Sequence, residues 1–124
     1  MHPDYHPGLA NLELIVEVRR LLATERRTAR LICRNLANLA NLADRVREGL
    51  DHALWGYADE LHAARCIFGL GVRDTRERVW VDRALRELPR VEVAFVNGEV
   101  SYSRVRELTR VAEPSTETEW LNSR

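Results

Sequence analysis

Residues 9–48, LANLELIVEVRRLLATERRTARLICRNLANLANLADRVRE, decide the fold. Neither proline nor glycine interrupts them, and apolar residues return at Leu12, Ile15, Val16, Val18, Leu22, Ala29, Ile32, Cys33, Leu36, Leu39, Ala40, Ala43 and Val46 with near-helical spacing. The pattern predicts one long helix from Leu9 to about Glu48. The run Thr24-Glu25-Arg26-Arg27 breaks the apolar stripe, and a bend there would fold the segment into a hairpin. Thr24 lacks the acidic residue three positions on that would mark a second helix start, which favours continuity. Asn35 to Ala43 is a three-residue unit repeated three times. On a helix of 3.6 residues per turn its leucines, Leu36, Leu39 and Leu42, spiral by about 60° per step, so one face drifts out of the core.

Outward from this segment, proline and glycine punctuate everything else. Pro3, Pro7 and Gly8 make residues 1–8 a flexible arm, and Gly49 closes the long helix ahead of a linking segment in which Trp55 reads as core. A second helix is expected from Tyr57 to Phe68 on the stripe Tyr57, Leu61, Ala64 and Phe68, ended by Gly69 or Gly71. Asp74 and Glu77 have the spacing of a capping box, so a third helix should run from about Thr75 to Leu88. Pro89 stops it and opens a fourth, Arg90 to Val96, which Asn97-Gly98 terminates. Ser101 caps a fifth helix to about Ala112, and Ser115 or Thr116 caps a last turn that carries Trp120 and Leu121. The fold class is all-α: a long N-terminal helix followed by a bundle of four to five short helices. Residues 9–124 form one helical domain, with an apolar end at Trp120-Leu121 that reads as a domain cut short.

A chain of 124 residues, 45% of them hydrophobic, can build one core without disulfides or a structural metal. Its 19 basic residues are all arginine and balance 19 acidic ones, which removes the overall basicity of a dedicated nucleic-acid binder. The balance is uneven along the chain. Between residues 19 and 47, Arg19, Arg20, Arg26, Arg27, Arg30, Arg34, Arg45 and Arg47 face only Glu25 and Asp44. Such a segment meets phosphate, an acidic partner, or simply water. Cys33 and Cys66 lie in apolar helix segments and read as buried small hydrophobes of a reducing cytoplasm. The N-terminus lacks the features of a secretory signal, and no run of 18 apolar residues suggests a membrane span.

Catalytic signatures are sparse. His2, Asp4 and His6 alternate as metal ligands do, but on a floppy arm, where ordering them is costly. His52 and His62, near Asp51, Asp59 and Glu60, would form an acid–base cluster only if the linker folded back over the second helix. No phosphate loop, Cys-x-x-Cys pair or His-Glu-x-x-His sequence occurs. Residues 58–88 have the helix, glycine turn and helix of a DNA reader, with Arg73, Arg76 and Arg78 at the start of the second helix and Arg83 further along. Asp74, Glu77 and Asp82 among them offer the alternative of a self-neutralised surface.

The segments Phe68-Gly69-Leu70-Gly71-Val72, Thr75 to Val79, Arg83 to Pro89, Ala94-Phe95, Gly98 to Ser103 and Val105 to Ala112 resemble the all-helical N-terminal domain, of undefined role, that precedes the nuclease module in bacterial HNH-endonuclease-like proteins. The similarity covers residues 57–121, and residues 9–56 only in helical character. Taken with the uneven charge, it gives the expectation of a non-catalytic module that binds or positions DNA, for which the arginine-rich segment and the start of the third helix offer Arg19, Arg20, Arg26, Arg27, Arg30, Arg34, Arg73 and Arg76. The alternative is a structural or dimerisation domain without a nucleic-acid role. The family's metal-binding histidines and asparagine have no counterpart here, so neither a catalytic residue, a metal nor another cofactor is expected, nor a membrane or small-molecule partner. A helix this long outreaches the short helices that follow it, so a homodimer is expected, paired through Leu36, Leu39, Leu42, Trp120 and Leu121.

Overall fold

A computed structural model of the chain describes residues 9–48 and 56–123. The arm, Gly49, the linking segment with His52 and Trp55, and the His2, Asp4 and His6 group lie outside the described residues. Among those described, the structure is all-α. Six helices follow in order: α1 (Leu9–Arg47), α2 (Glu60–Phe68), α3 (Val72–Leu85), α4 (Pro89–Val96), α5 (Tyr102–Val111) and α6 (Glu117–Asn122). α1 is continuous over 39 residues, with no bend at Thr24. The Thr24 hydroxyl donates to the carbonyl of Arg20 at 2.9 Å and the Thr28 hydroxyl to that of Thr24 at 2.8 Å. Both hydroxyls are thus satisfied within the helix itself.

α1 and α3 form the spine, and α3 also packs on α2, α4 and α5. The main core gathers Cys33 from α1, Val81 and Leu85 from α3, Leu88, Val91 and Phe95 around α4, and Val105 and Leu108 from α5. A second cluster joins Leu36, Ala37 and Ala40 of α1 to Ala64 of α2 and Val79 of α3. Alanines on α1 and α2 let these helices approach closely. Leu121 packs against the main core, whereas Trp120 stays 39% exposed.

Several helix ends differ from the sequence reading, each for a local reason. α2 starts at Glu60 because the Asp59 carboxylate accepts from the His62 amide at 2.8 Å, a side-chain cap inside the predicted helix. Its C-terminus is a Schellman turn, with Gly69 at φ 71° and the Leu70 amide donating to the Ala64 carbonyl at 3.2 Å. The capping box at Asp74 does not form. α3 begins at Val72, and Asp74 turns outward to receive Arg78 at 2.8 Å, while Glu77 accepts the Tyr102 hydroxyl at 2.8 Å. Long-range and i,i+4 partners have captured both carboxylates that the box required.

The N-terminus of α4 is closed from a distance. Leu88 at its N-cap supplies no side-chain bond. Instead the buried Glu117 carboxylate on α6 accepts from the amides of Arg90, at 3.2 Å, and Val91, at 3.3 Å. A negative charge sits on the positive end of the helix dipole and satisfies its orphan donors. Ser101 caps α5 as expected, accepting from the Arg104 amide at 3.3 Å. The turn before it lies against α1: Gly98, at φ 76°, packs so closely that a Cβ would stand 2.8 Å from the backbone of Ala23. Only glycine fits there.

Candidate interaction surface

The arginines of α1 divide between fold and surface. Arg30 is buried: its guanidinium donates to Asp82 of α3 at 2.9 Å and to Glu92 of α4 at 2.5 Å. Desolvation opposes its charge, but the bonds to Glu92 and then Asp82 outweigh burial and leave its pKa above the usual value. Asp82 also receives Arg86 at 3.3 Å. This cluster bolts α1 to α3 and α4, so Arg30 is withdrawn from any phosphate-facing set. Arg26 is half-buried and donates to the Gly98 carbonyl at 3.0 Å, holding the α4–α5 turn. Arg20 pairs with Glu17 at 2.5 Å, a bond that lowers the Glu17 pKa.

The remaining residues of the expected basic set, Arg19, Arg27, Arg34, Arg73 and Arg76, are exposed. Arg27 and Arg34 share one side of α1, a heptad apart. Arg73 and Arg76 lie at the start of α3, a central helix whose other side buries Thr75, Val79, Val81, Asp82 and Leu85. Arg78 is turned inward: it pairs with Asp74 and covers the Tyr102 ring at 4.5 Å. Burial, and then the bond to Glu77, push the Tyr102 phenol well above its ordinary pKa.

What sequence reasoning placed elsewhere is the large uncovered apolar surface. Residues 11–22 of α1 are exposed throughout, although they include Leu12, Leu14, Ile15, Val16, Val18, Leu21 and Leu22. The cause is length. At about 1.5 Å per residue α1 extends roughly 58 Å, against a diameter of about 35 Å for a compact domain of this size. The repeat leucines are covered after all: Leu36 is buried, and Leu39 and Leu42 are half-buried. Among the described residues the barest part of α1 is therefore its first third rather than the repeat, because α2 and α3 close over the alanine side of the repeat.

Beside the buried part of α1 runs an apolar groove of about 510 Å³. Leu31, Ile32, Leu36 and Leu39 form its floor, and Ile67 and Phe68 of α2 form its wall. Phe68, expected in the core stripe of α2, is 58% exposed. Ala63 and Ala64 are the residues that α2 buries, and the Schellman turn leaves Phe68 on the rim. Cys66, expected to be buried, is exposed on the same helix, whereas Cys33 is fully buried as expected. Burial pushes the Cys33 thiol up to about 11.

The rest of the histidine cluster is structural. His62 is exposed, accepts from the Ala58 amide through Nδ1 at 3.0 Å and meets the Tyr57 ring edge-on at 5.3 Å. Asp59 is engaged as the cap. Among the described residues, no group of three or more His, Cys, Asp or Glu side chains could hold a metal ion, and no helix is long and apolar enough to cross a membrane. Comparison with known protein families, curated proteins and solved structures finds no match to this chain.

Proposed function

We propose that this chain is a non-catalytic helical module that self-associates through the uncovered apolar face of α1. The observation that carries the reading is the exposure of residues 11–22, a helix segment with seven large apolar side chains that no other described element covers. A contiguous apolar face of this kind marks an interaction site. A lipid surface fits it less well, since the segment carries Glu13 and Glu17 against Arg19 and Arg20 and so has no basic excess. Sedimentation equilibrium over a wide concentration range tests the proposal. A mass that rises toward the dimer, and falls back to the monomer in Leu21→Glu, is the expected result. A strictly monomeric mass at high concentration would overturn it.

A second reading has its own observation. Arg20, Arg27 and Arg34 recur one heptad apart along α1, and Arg27 and Arg34 are exposed with no carboxylate partner among the described residues. Together with the resemblance of residues 57–121 to the helical domain of HNH-endonuclease-like proteins, this supports a DNA-positioning role. Binding would be indifferent to sequence, sensitive to salt and no tighter than about 10⁻⁶ M. Fluorescence anisotropy with labelled duplex DNA at low salt reads it directly, and Arg27→Glu with Arg34→Glu should abolish it. Unchanged binding in that variant would sink this second reading.

A further inference from the structure

One side of α1 carries a two-helix seam that the bundle does not use. Leu14, Val18 and Leu21 follow one another at spacings of four and three, and the same alternation continues through Glu25 and Thr28 to Ile32, Asn35 and Leu39. That is the a/d stripe of a coiled coil. Every member is exposed except Leu39, which is half-buried. The side of α1 that packs on the bundle is a different one, formed by Arg30, Cys33, Ala37 and Ala40.

We propose that this stripe is the seam of an antiparallel dimer in which the first third of α1 from one copy fills the apolar groove of the other. The inference rests on the self-association reading above and specifies its occupant and register. The stripe is self-complementary about a two-fold axis between Glu25 and Thr28: Leu14 faces the partner's Leu39, Val18 the partner's Asn35, Leu21 the partner's Ile32, and Glu25 the partner's Thr28. Each layer pairs an a position with a d position, as an antiparallel seam requires, and the symmetry closes after two copies.

Three further features agree. Thr28 donates its hydroxyl to the Thr24 carbonyl at 2.8 Å and Asn35 one of its two amide protons to the Leu31 carbonyl at 3.0 Å, so these two donors enter the seam already bonded. The exposed portions of Leu14, Val18, Leu21, Leu31, Ile32 and Phe68 amount to roughly 550 Å² of apolar surface per copy, the larger part of the ~800 Å² per partner that stable pairs bury. A parallel pair would set Glu25 against Glu25 and groove against groove, leaving both grooves unfilled. The antiparallel pair inserts Leu14 and Leu21 beside Ile67 and Phe68.

Disulfide trapping in a Cys66→Ala background, where the remaining native thiol is the buried Cys33, tests the register. The Val18→Cys, Asn35→Cys double variant should give a cross-linked dimer under mild oxidation, and neither single variant should. Phe68→Asp, which leaves α1 untouched, should weaken the dimer at least about tenfold by removing a groove wall. A dimer cross-linked by Val18→Cys alone would establish a parallel seam and overturn the inference while leaving self-association intact. A dimer seen by sedimentation but neither trapped by the double variant nor weakened by Phe68→Asp would do the same. A monomer at all concentrations would remove both.

Discussion

Residues 11–22 and residues 26–43 belong to one uninterrupted helix with similar apolar spacing, yet the first is exposed throughout and the second supplies Arg30, Cys33, Leu36, Ala37, Ala40 and Ala43 to the interior. The difference is not in hydrophobicity. The exposed stretch carries the larger apolar side chains, and the covered stretch is rich in alanine. Small residues admit α2 and α3 to close range. Leucine and valine at the projecting end are not reached by the other described helices, which are short and already wrapped around the other end. In this helix, burial follows the availability of a partner element rather than apolar content.

Substitutions should separate the two regions sharply. In the covered region Arg30→Ala should cost about 3–5 kcal/mol in chemical denaturation, since it leaves the buried Asp82 carboxylate without its closest cation. A loss under about 1 kcal/mol would show that Arg86 can compensate alone. Where the two regions meet, Gly98→Ala should cost about 2–4 kcal/mol, combining a strained positive φ with a Cβ pressed on the Ala23 backbone. A thermal midpoint equal to that of the unmodified protein would mean that the α4–α5 turn can lift off α1. Glu117→Ala should cost about 1–3 kcal/mol by freeing the buried amide of Val91 and removing the distant cap of α4. Faster amide exchange at Val91 is the specific sign to look for.

The projecting region should behave in the opposite way. Leu14→Ser should change the stability of the monomer by no more than about 0.5 kcal/mol, measured at a concentration where any dimer has dissociated. A large loss there would mean that the first third of α1 is covered in solution within a single copy. A further contrast concerns the thiols. A thiol reagent near pH 8 should modify Cys66 at once and spare Cys33, and denaturant should expose both. Because the Cys33 pKa rises from 9.0 to about 11 on folding, its contribution to stability is complete below pH 9 and is lost as pH climbs toward 11. Denaturant midpoints that fall over that window in the unmodified protein, and fall less in Cys33→Ala, would carry the signature.

Much of the architecture was legible because it is written in local signals. Pro89 opening α4, Gly69 ending α2 and Ser101 capping α5 act within a few residues of themselves. Where the reading failed, a competing partner, near or far in the chain, had intervened. Asp74 and Glu77 have capping-box spacing, but Arg78 and Tyr102 hold them. Phe68 has helical spacing for the core, but α2 docks through alanines instead. For the candidate surface, composition indicated that α1 exceeds what its neighbours can cover. It did not indicate which end would remain bare, since the leucines of the repeat and those of residues 12–22 have the same chemistry.

By itself the sequence determined that the chain is helical, where most of its helices stop, that α1 outreaches a compact domain, and that its arginines crowd one segment. These follow from backbone propensities, from proline and glycine geometry, and from length. Only the tertiary structure decided that Arg30 serves the core through Asp82 and Glu92, that Glu117 caps α4, and that the bare apolar face is the first third of α1 beside a groove walled by Phe68. Charge pairing and burial depend on which helices meet. That is set by the fit of side chains across elements far apart in the chain, where spacing along the sequence carries no signal.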